Sequence, residues 1–366
     1  MLNLATLLES SALNDPGKTA VVFAGKRLSY AQVNAAANQV AHGLHAAGIG
    51  KGDKVALSCP NLPYFPIVYF GILKTGATVV PLNVLLKQRE IAYHLQDSDA
   101  AAYICFQGTA ELPMAQEGWA AFQQVDSCKN FWVITADPAA ASPIDGAATL
   151  AQMMQPQPAD FDTVQTMPDD TAVILYTSGT TGQPKGAELS HANMVMNAMV
   201  VRDLFRLTPE DVQLIVLPLF HSFGQTCQQN SSFLAGCTTV LVPKFDADAV
   251  LGGFQNENVT VFCGVPTMYW GLLHHPGAGN YDLQKIAGTL RLGVSGGASM
   301  PVELMKDFEK KFNVPILEGY GLSETSPVAT FNRLDRERKP GSIGLPIWGV
   351  ALKVVDADDR EVQTGD

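Results

Sequence analysis

The chain has 366 residues, 47% of them hydrophobic and 16% charged, with a formal net charge of -11. That length calls for one large or two closely packed α/β units, and the hydrophobic content excludes a disordered chain. The acidic balance argues against a general nucleic-acid or membrane-surface binder, so an anionic substrate must find a local lysine or a bound metal.

From the N-terminus, MLNLATLLESSALNDPGKTA has no basic segment and no long apolar stretch, so no signal peptide is expected. Tyr30 to Gly48 sets Val33, Ala37, Val40 and Leu44 on one face and ends in a glycine, which predicts a helix with a glycine stop. KVALSC reads as a buried strand, Tyr64 to Lys74 as a helix and ATVVPL as a strand, a βαβ rhythm that implies a parallel sheet. The apolar run from Phe65 to Leu82 is broken by Lys74, Gly76 and Pro81 and is a poor membrane span. The stretch from Asp137 to Asp170, rich in Ala, Pro, Gln and Asp, reads as a surface connection between two halves.

The second half resumes the alternation. TAVILY, VQLIVLPLF, TTVLVP, VTVFCGVP and RLGVS are expected strands; HANMVMNAMVVRDLF and the proline-opened PVELMKDFEKKF are expected helices. GVALKVVDADDREV reads as a hairpin with an Asp-rich turn, a change towards antiparallel β. The six cysteines are scattered without a CxxC pair, which points to buried free thiols in a reducing cytoplasm.

Chemistry concentrates in YTSGTTGQPKG, Tyr176 to Gly186, directly after a buried strand. Glycines let the backbone wrap an anion, hydroxyls and amides donate to phosphate oxygens, and Lys185 supplies charge. It is not a Walker loop, because Pro184 precedes the lysine and Gly186, not Ser or Thr, follows it; a P-loop kinase is disfavoured accordingly. The plainer alternative is a flexible Gly/Thr surface loop.

This segment resembles the signature of the adenylate-forming superfamily, which includes acyl-CoA synthetases, aryl-acid ligases, luciferases and peptide-synthetase adenylation domains. LPLFHSFG (from Leu217), GVPTMY (from Gly264), SGGAS (from Ser295), EGYGLSET (from Glu318) and GSIGLPIWG (from Gly341) match further family motifs in order across the chain. The resemblance implies an α/β fold of two packed βα subdomains with mostly parallel sheets, at about 1–170 and 171–340, with 341–366 starting a small antiparallel β-barrel subdomain. It also implies that a family C-terminal domain is missing. Thr364-Gly365-Asp366 looks like the family's ribose-binding motif but lies too soon after Glu324, and is read as a chance triplet.

By resemblance, Lys185, Thr177 and Glu324 are the catalytic residues, with Glu324 and Thr177 holding Mg²⁺ as a hard-oxygen site shared with substrate phosphates. ATP falls to Thr177, Ser178, Gly179, Thr180, Thr181, Gly182, Lys185, Gly297, Ala298, Glu318, Gly319, Tyr320, Gly321 and Ser323, with the Tyr320 ring against adenine. Ser323 stands where the family more often has threonine, which keeps the hydroxyl. The bland alternatives are a solvated glutamate, a core tyrosine and an ordinary strand–helix turn at Ser295 to Ala298. The acid is assigned to His221, Phe223, Gly224, Cys227, Val265 and Met268, His221 being equally readable as a core histidine.

The implied reaction joins a carboxylic acid to coenzyme A through an acyl-adenylate, releasing AMP and diphosphate. Between His221 and Lys244 there is no Asp, Glu, Lys or Arg, so neither an amino acid nor a dicarboxylate finds its counter-charge. A medium- or long-chain fatty acid fits best, with an aryl acid of the coumarate type as runner-up. The rival reading is a nucleotide- or acyl-binding fragment, inactive without its partner domain. ATP, the acid and coenzyme A are the expected small-molecule partners, with no nucleic acid and at most peripheral membrane contact.

Overall fold

The protein is described from a computed structural model over residues 1–178 and 182–362. Two sheets carry the fold, a seven-stranded one and a nine-stranded one, with helices on their faces as the βαβ rhythm requires. In the seven-stranded sheet, Lys54–Ser58, Thr78–Pro81 and Thr171–Thr177 run parallel side by side, and Lys185–Ser190 folds back antiparallel on the last. In the nine-stranded sheet, Val212–Ile215, Val261–Gly264, Leu292–Ser295 and Ile316–Gly321 run parallel in that order. Val328–Phe331 and Leu345–Pro346 extend its edge antiparallel.

The α/β class with mainly parallel sheets is therefore as expected, but the division at residue 170 follows neither sheet. Thr19–Phe23 crosses to the nine-stranded sheet and pairs in parallel with Thr238–Leu241. The hairpin Thr171–Ser190, expected in the second half, completes the sheet of the first. One core accordingly spans both sheets, joining Val21, Ile215 and Leu241 of one to Val55, Val79 and Val173 of the other.

Local sequence explains the helices. Tyr30–Ala46 starts at a capping box in which the Ser29 hydroxyl accepts from the Gln32 N–H, and it buries Val33, Ala37, Val40 and Leu44. The stretch expected as a surface connection is partly built in. Ala148–Thr149 pairs with Trp132 and Val133, and Leu150–Met154 buries Leu150 and Met153, because these apolar side chains find a neighbouring sheet edge. The expected Asp-rich hairpin reduces to one bridge, Val355 to Glu361, around a turn in which Asp356 Oδ1 accepts from the N–H groups of Asp358 and Arg360. Among the described residues Leu352 and Val354 are exposed there, no second layer buries them and no closed barrel is formed.

All six cysteines are free and buried. Among the described residues no helix is long and apolar enough to cross a membrane.

Candidate active site

Parallel strands deliver their carboxyl ends to one edge, and ligands of open α/β sheets bind there. Thr78–Pro81 and Thr171–Thr177 are such neighbours, so Pro81 to Asn83 and Thr177 to Ser178 emerge together. Across from them emerge the loops after Val212–Ile215, Leu292–Ser295 and Ile316–Gly321. Two adjoining cavities lie between these loops.

The larger, about 710 Å³, is walled by Tyr176, Thr177, Ser178 and Gly182 to Pro184 on one side and by Arg89, Glu90, Tyr93 and His94 on the other. These last four project from the helix Gln88–Asp97, which braces the hairpin at both legs. The Tyr176 hydroxyl donates to Asp97 Oδ2 at 2.7 Å, and that of Tyr93 to the Pro184 carbonyl at 2.8 Å. Burial and the Asp97 carboxylate together push the Tyr176 phenol far up, so it stays a donor. Burial holds His94 below the ordinary histidine value.

The smaller, about 230 Å³, is walled by Phe223, Cys227, Gly296, Gly297, Gly319 to Leu322, Pro327, Val328 and Phe331. No Asp, Glu, Lys or Arg lines it. His221, Ser222 and Ser323 line both cavities and so mark their junction. His221 opens to the cavities but is crowded by protein, and this desolvation lowers its pKa. Close backbone approach shapes the Gly319 to Gly321 wall. A Cβ on Gly319 would stand 2.2 Å from the Phe331 ring, and one on Gly321 2.1 Å from the Pro327 carbonyl oxygen. Tyr320 between them keeps 42% of its surface exposed, a ring free to stack.

The fold thus gathers Thr177, Ser178, Gly182, His221, Phe223, Cys227, Gly297, Gly319, Tyr320, Gly321 and Ser323 around the two cavities. Other expected site residues lie next to that lining. Lys185 is exposed and pairs in register with Thr177 across the hairpin. Glu324 is exposed on the turn Ser323–Thr325, which lies beside the strand Lys185–Ser190. Ala298 is exposed on the loop after Leu292–Ser295. Glu318 is 4% exposed; its Oε1 accepts from the Met300 N–H at 3.0 Å, holding that loop, while Oε2 has no partner. Val265 packs towards Gly297, Met268 packs into the core, and Gly224 lies buried against the Leu217 and Pro218 carbonyls. Gly179, Thr180 and Thr181, like Thr364-Gly365-Asp366, lie outside the described residues.

Sequence reasoning passed over the helix Gln88–Asp97 and Ser222. The signal for the first was available, since Pro81-Leu82-Asn83 ends a parallel strand. Ser222 carries none: it is 1% exposed and its hydroxyl is unpartnered, facts of packing alone.

Known proteins share this fold. The chain is 34% identical over 360 residues to a long-chain-fatty-acid–CoA ligase of Bacillus subtilis, covering 94% of this chain and 64% of that protein. It is 31% identical over 354 residues to a feruloyl-CoA synthase of an Amycolatopsis species, covering 96% and 66% respectively. Its fold superposes on the anthranilate CoA ligase AuaEII in complex with anthranoyl-AMP with a TM-score of 0.90 at 29% identity, covering all of this chain and 68% of that one. The chain therefore spans about two thirds of the length of these relatives. The family model described as AMP-binding enzyme matches residues 8–366, and the chain belongs to that family.

Proposed function

We propose that the protein is an AMP-forming acid–thiol ligase whose acid has an uncharged tail, in the first place a medium- or long-chain fatty acid. The observation that carries this reading is the pair of adjoining cavities, one beside the glycine–hydroxyl hairpin and one without a charged lining residue, meeting at His221, Ser222 and Ser323. The likeness to the Bacillus subtilis ligase supports the fatty acid. Because the chain spans 64% of that relative, the activity of the whole protein belongs to the proposal.

In the first step a carboxylate oxygen attacks the α-phosphorus of ATP and diphosphate leaves. The acid is already ionised at neutral pH, so no general base is needed. The hairpin hydroxyls of Thr177 and Ser178 orient the phosphates and Lys185 offsets their charge. Tyr320 stacks on the adenine. Glu324 lies on the turn beside the strand Lys185–Ser190, and Thr177 pairs with Lys185 of that strand; their hard oxygens would suit Mg²⁺ shared with phosphates, and the ion when bound would neutralise negative charge there. In the second step the coenzyme A thiol sulfur attacks the acyl carbon and AMP leaves.

A second reading, an aryl acid, is favoured by volume. A cavity of about 150 Å³ accepts a benzene ring, so 230 Å³ holds a substituted ring or a medium chain, whereas a long chain needs further room. The test is a panel of acids offered with ATP and coenzyme A, following AMP and diphosphate. Acid-dependent AMP release, with fatty or aryl acids above amino acids and dicarboxylates, is expected. Release of ADP, or of AMP irrespective of the acid, overturns the reading.

A further inference from the structure

Asn61 lies outside both cavities, just beyond the strand Lys54–Ser58 of the seven-stranded sheet, and is 2% exposed. Its side chain nevertheless engages the other sheet. Nδ2 lies within donating distance of the carbonyls of Leu217 (2.9 Å), Val242 (3.2 Å) and Ile215 (3.3 Å), and Oδ1 accepts from the Leu219 N–H at 3.0 Å. These groups belong to the segment between the strand Val212–Ile215 and the π-helix Phe223–Asn230, and to the end of the neighbouring strand.

That segment has no ladder of its own, yet Leu217 and Leu219 are buried. Buried backbone groups without partners cost about 1–3 kcal/mol each, so a chain running through the interior this way needs side chains to complete it. Asn61 supplies donors and an acceptor together, which no apolar or purely donating residue can do. Gln225 adds one more bond, donating Nε2 to the Leu219 carbonyl at 3.2 Å. The next residues along the chain, Phe220, His221 and Ser222, line the larger cavity, and the last two line the smaller as well.

We propose that Asn61 is a positioning residue, which fixes from the first sheet the path of the Val216 to Phe220 segment and thereby sets His221 and Ser222 at the junction of the two cavities. The consequence for the acid, though not the positioning itself, rests on the function proposed above. Of the residues that line the cavities with His221, the charged or titratable ones are Arg89, Glu90, Tyr93, His94 and Tyr176 on the larger and Cys227 and Tyr320 on the smaller. Desolvation of the ring, and not a fixed charge, holds its pKa down.

The test titrates the protein's histidines by NMR, with the His221 resonance identified by its loss in His221→Gln. In the parent protein His221 titrates below the ordinary value of about 6.5. In Asn61→Ala it moves up towards that value, and the KM for the acid rises about tenfold, as leaving a buried group unpaired costs. The KM for ATP stays within about twofold, because the hairpin hangs on other contacts. Gln225→Met, which removes a single bond to the same segment, shifts both readouts the same way by less, and stands in if Asn61→Ala does not fold. An unmoved His221 in either folded variant overturns the proposal, as do equal losses for acid and ATP. A moved His221 in a protein that binds neither ATP nor a fatty or aryl acid supports the positioning and overturns the reading of the function.

Discussion

The Tyr93 hydroxyl donates to the carbonyl of Pro184 at 2.8 Å, tying the helix Gln88–Asp97 to the far leg of the glycine-rich hairpin. Tyr176, on the near leg, is tied to Asp97 of the same helix. One helix therefore sets the opening of the loop that faces the larger cavity. Tyr93→Phe removes one bond and little packing. A hydrogen bond is worth about 0.5–1.5 kcal/mol net, so Mg-ATP affinity measured by calorimetry should fall about two- to tenfold. Affinity equal to the parent protein's would mean that the hairpin holds its shape unaided.

Gly224 occupies a position where backbone comes close. A Cβ there would stand 2.5 Å from the Pro218 oxygen and 2.8 Å from that of Leu217. Gly224→Ala should destabilise by about 1–3 kcal/mol in urea unfolding, the usual cost of overpacking. Gly288 is the control: it sits exposed in the helix Leu283–Thr289 with nothing within 4 Å of an added Cβ. Gly288→Ala should stabilise by up to about 1 kcal/mol through helix propensity. Equal effects of the two substitutions would contradict the packing described.

Gly224 also illustrates what the sequence can reveal. The motif around it is legible, because PLFHSFG marks a loop at a sheet's carboxyl edge, although the strand expected through Phe220 ends already at Ile215. Which of its side chains face the ligand is not, because that depends on a π-helix whose 223 and 227 positions turn to one cavity. Strand and helix types were legible wherever the period was clear, as in Tyr30–Ala46. Sheet membership was not, since the pairing of Val21 with Thr239 is fixed by packing across the whole chain. The same holds for the helix Gln88–Asp97, which becomes a cavity wall only because two parallel strands end beside it.

His191 is fully buried, its Nδ1 accepting from the Leu4 N–H at 3.0 Å, and burial lowers its pKa to about 4. Unfolding restores a value of about 6.5, so between the two the unfolded chain binds the extra proton. Stability is therefore fully present above pH 6.5 or so and is lost as pH falls towards 4. At pH 5 this group alone should cost about 2 kcal/mol relative to pH 7, at 1.36 kcal/mol per pH unit. Urea unfolding at both values, compared with His191→Gln, isolates the effect. A pH dependence identical in the two proteins would show that His191 is not the buried neutral group described.

Glu324 is exposed on its turn beside the hairpin strand, so its loss should leave folding alone. Glu324→Ala is expected to keep the parent melting temperature within about 1 °C, surface changes being worth less than about 0.5 kcal/mol. It should also weaken nucleotide binding with magnesium present and not without it. A variant that binds as the parent does in both conditions would remove Glu324 from the metal site.

The central claim is that the two cavities together hold one acyl-adenylate, with the phosphates on the hairpin side and the acyl group in the uncharged one, next to the base on Tyr320. The most direct measurement is calorimetric binding of a non-hydrolysable acyl-adenylate mimic with a medium-chain tail, compared with AMP and with the free acid. Joining two parts that bind separately can raise affinity by about 10²–10⁴ over either alone, and a gain of at least about 10² is the predicted result. A mimic that binds no more tightly than AMP would contradict the account.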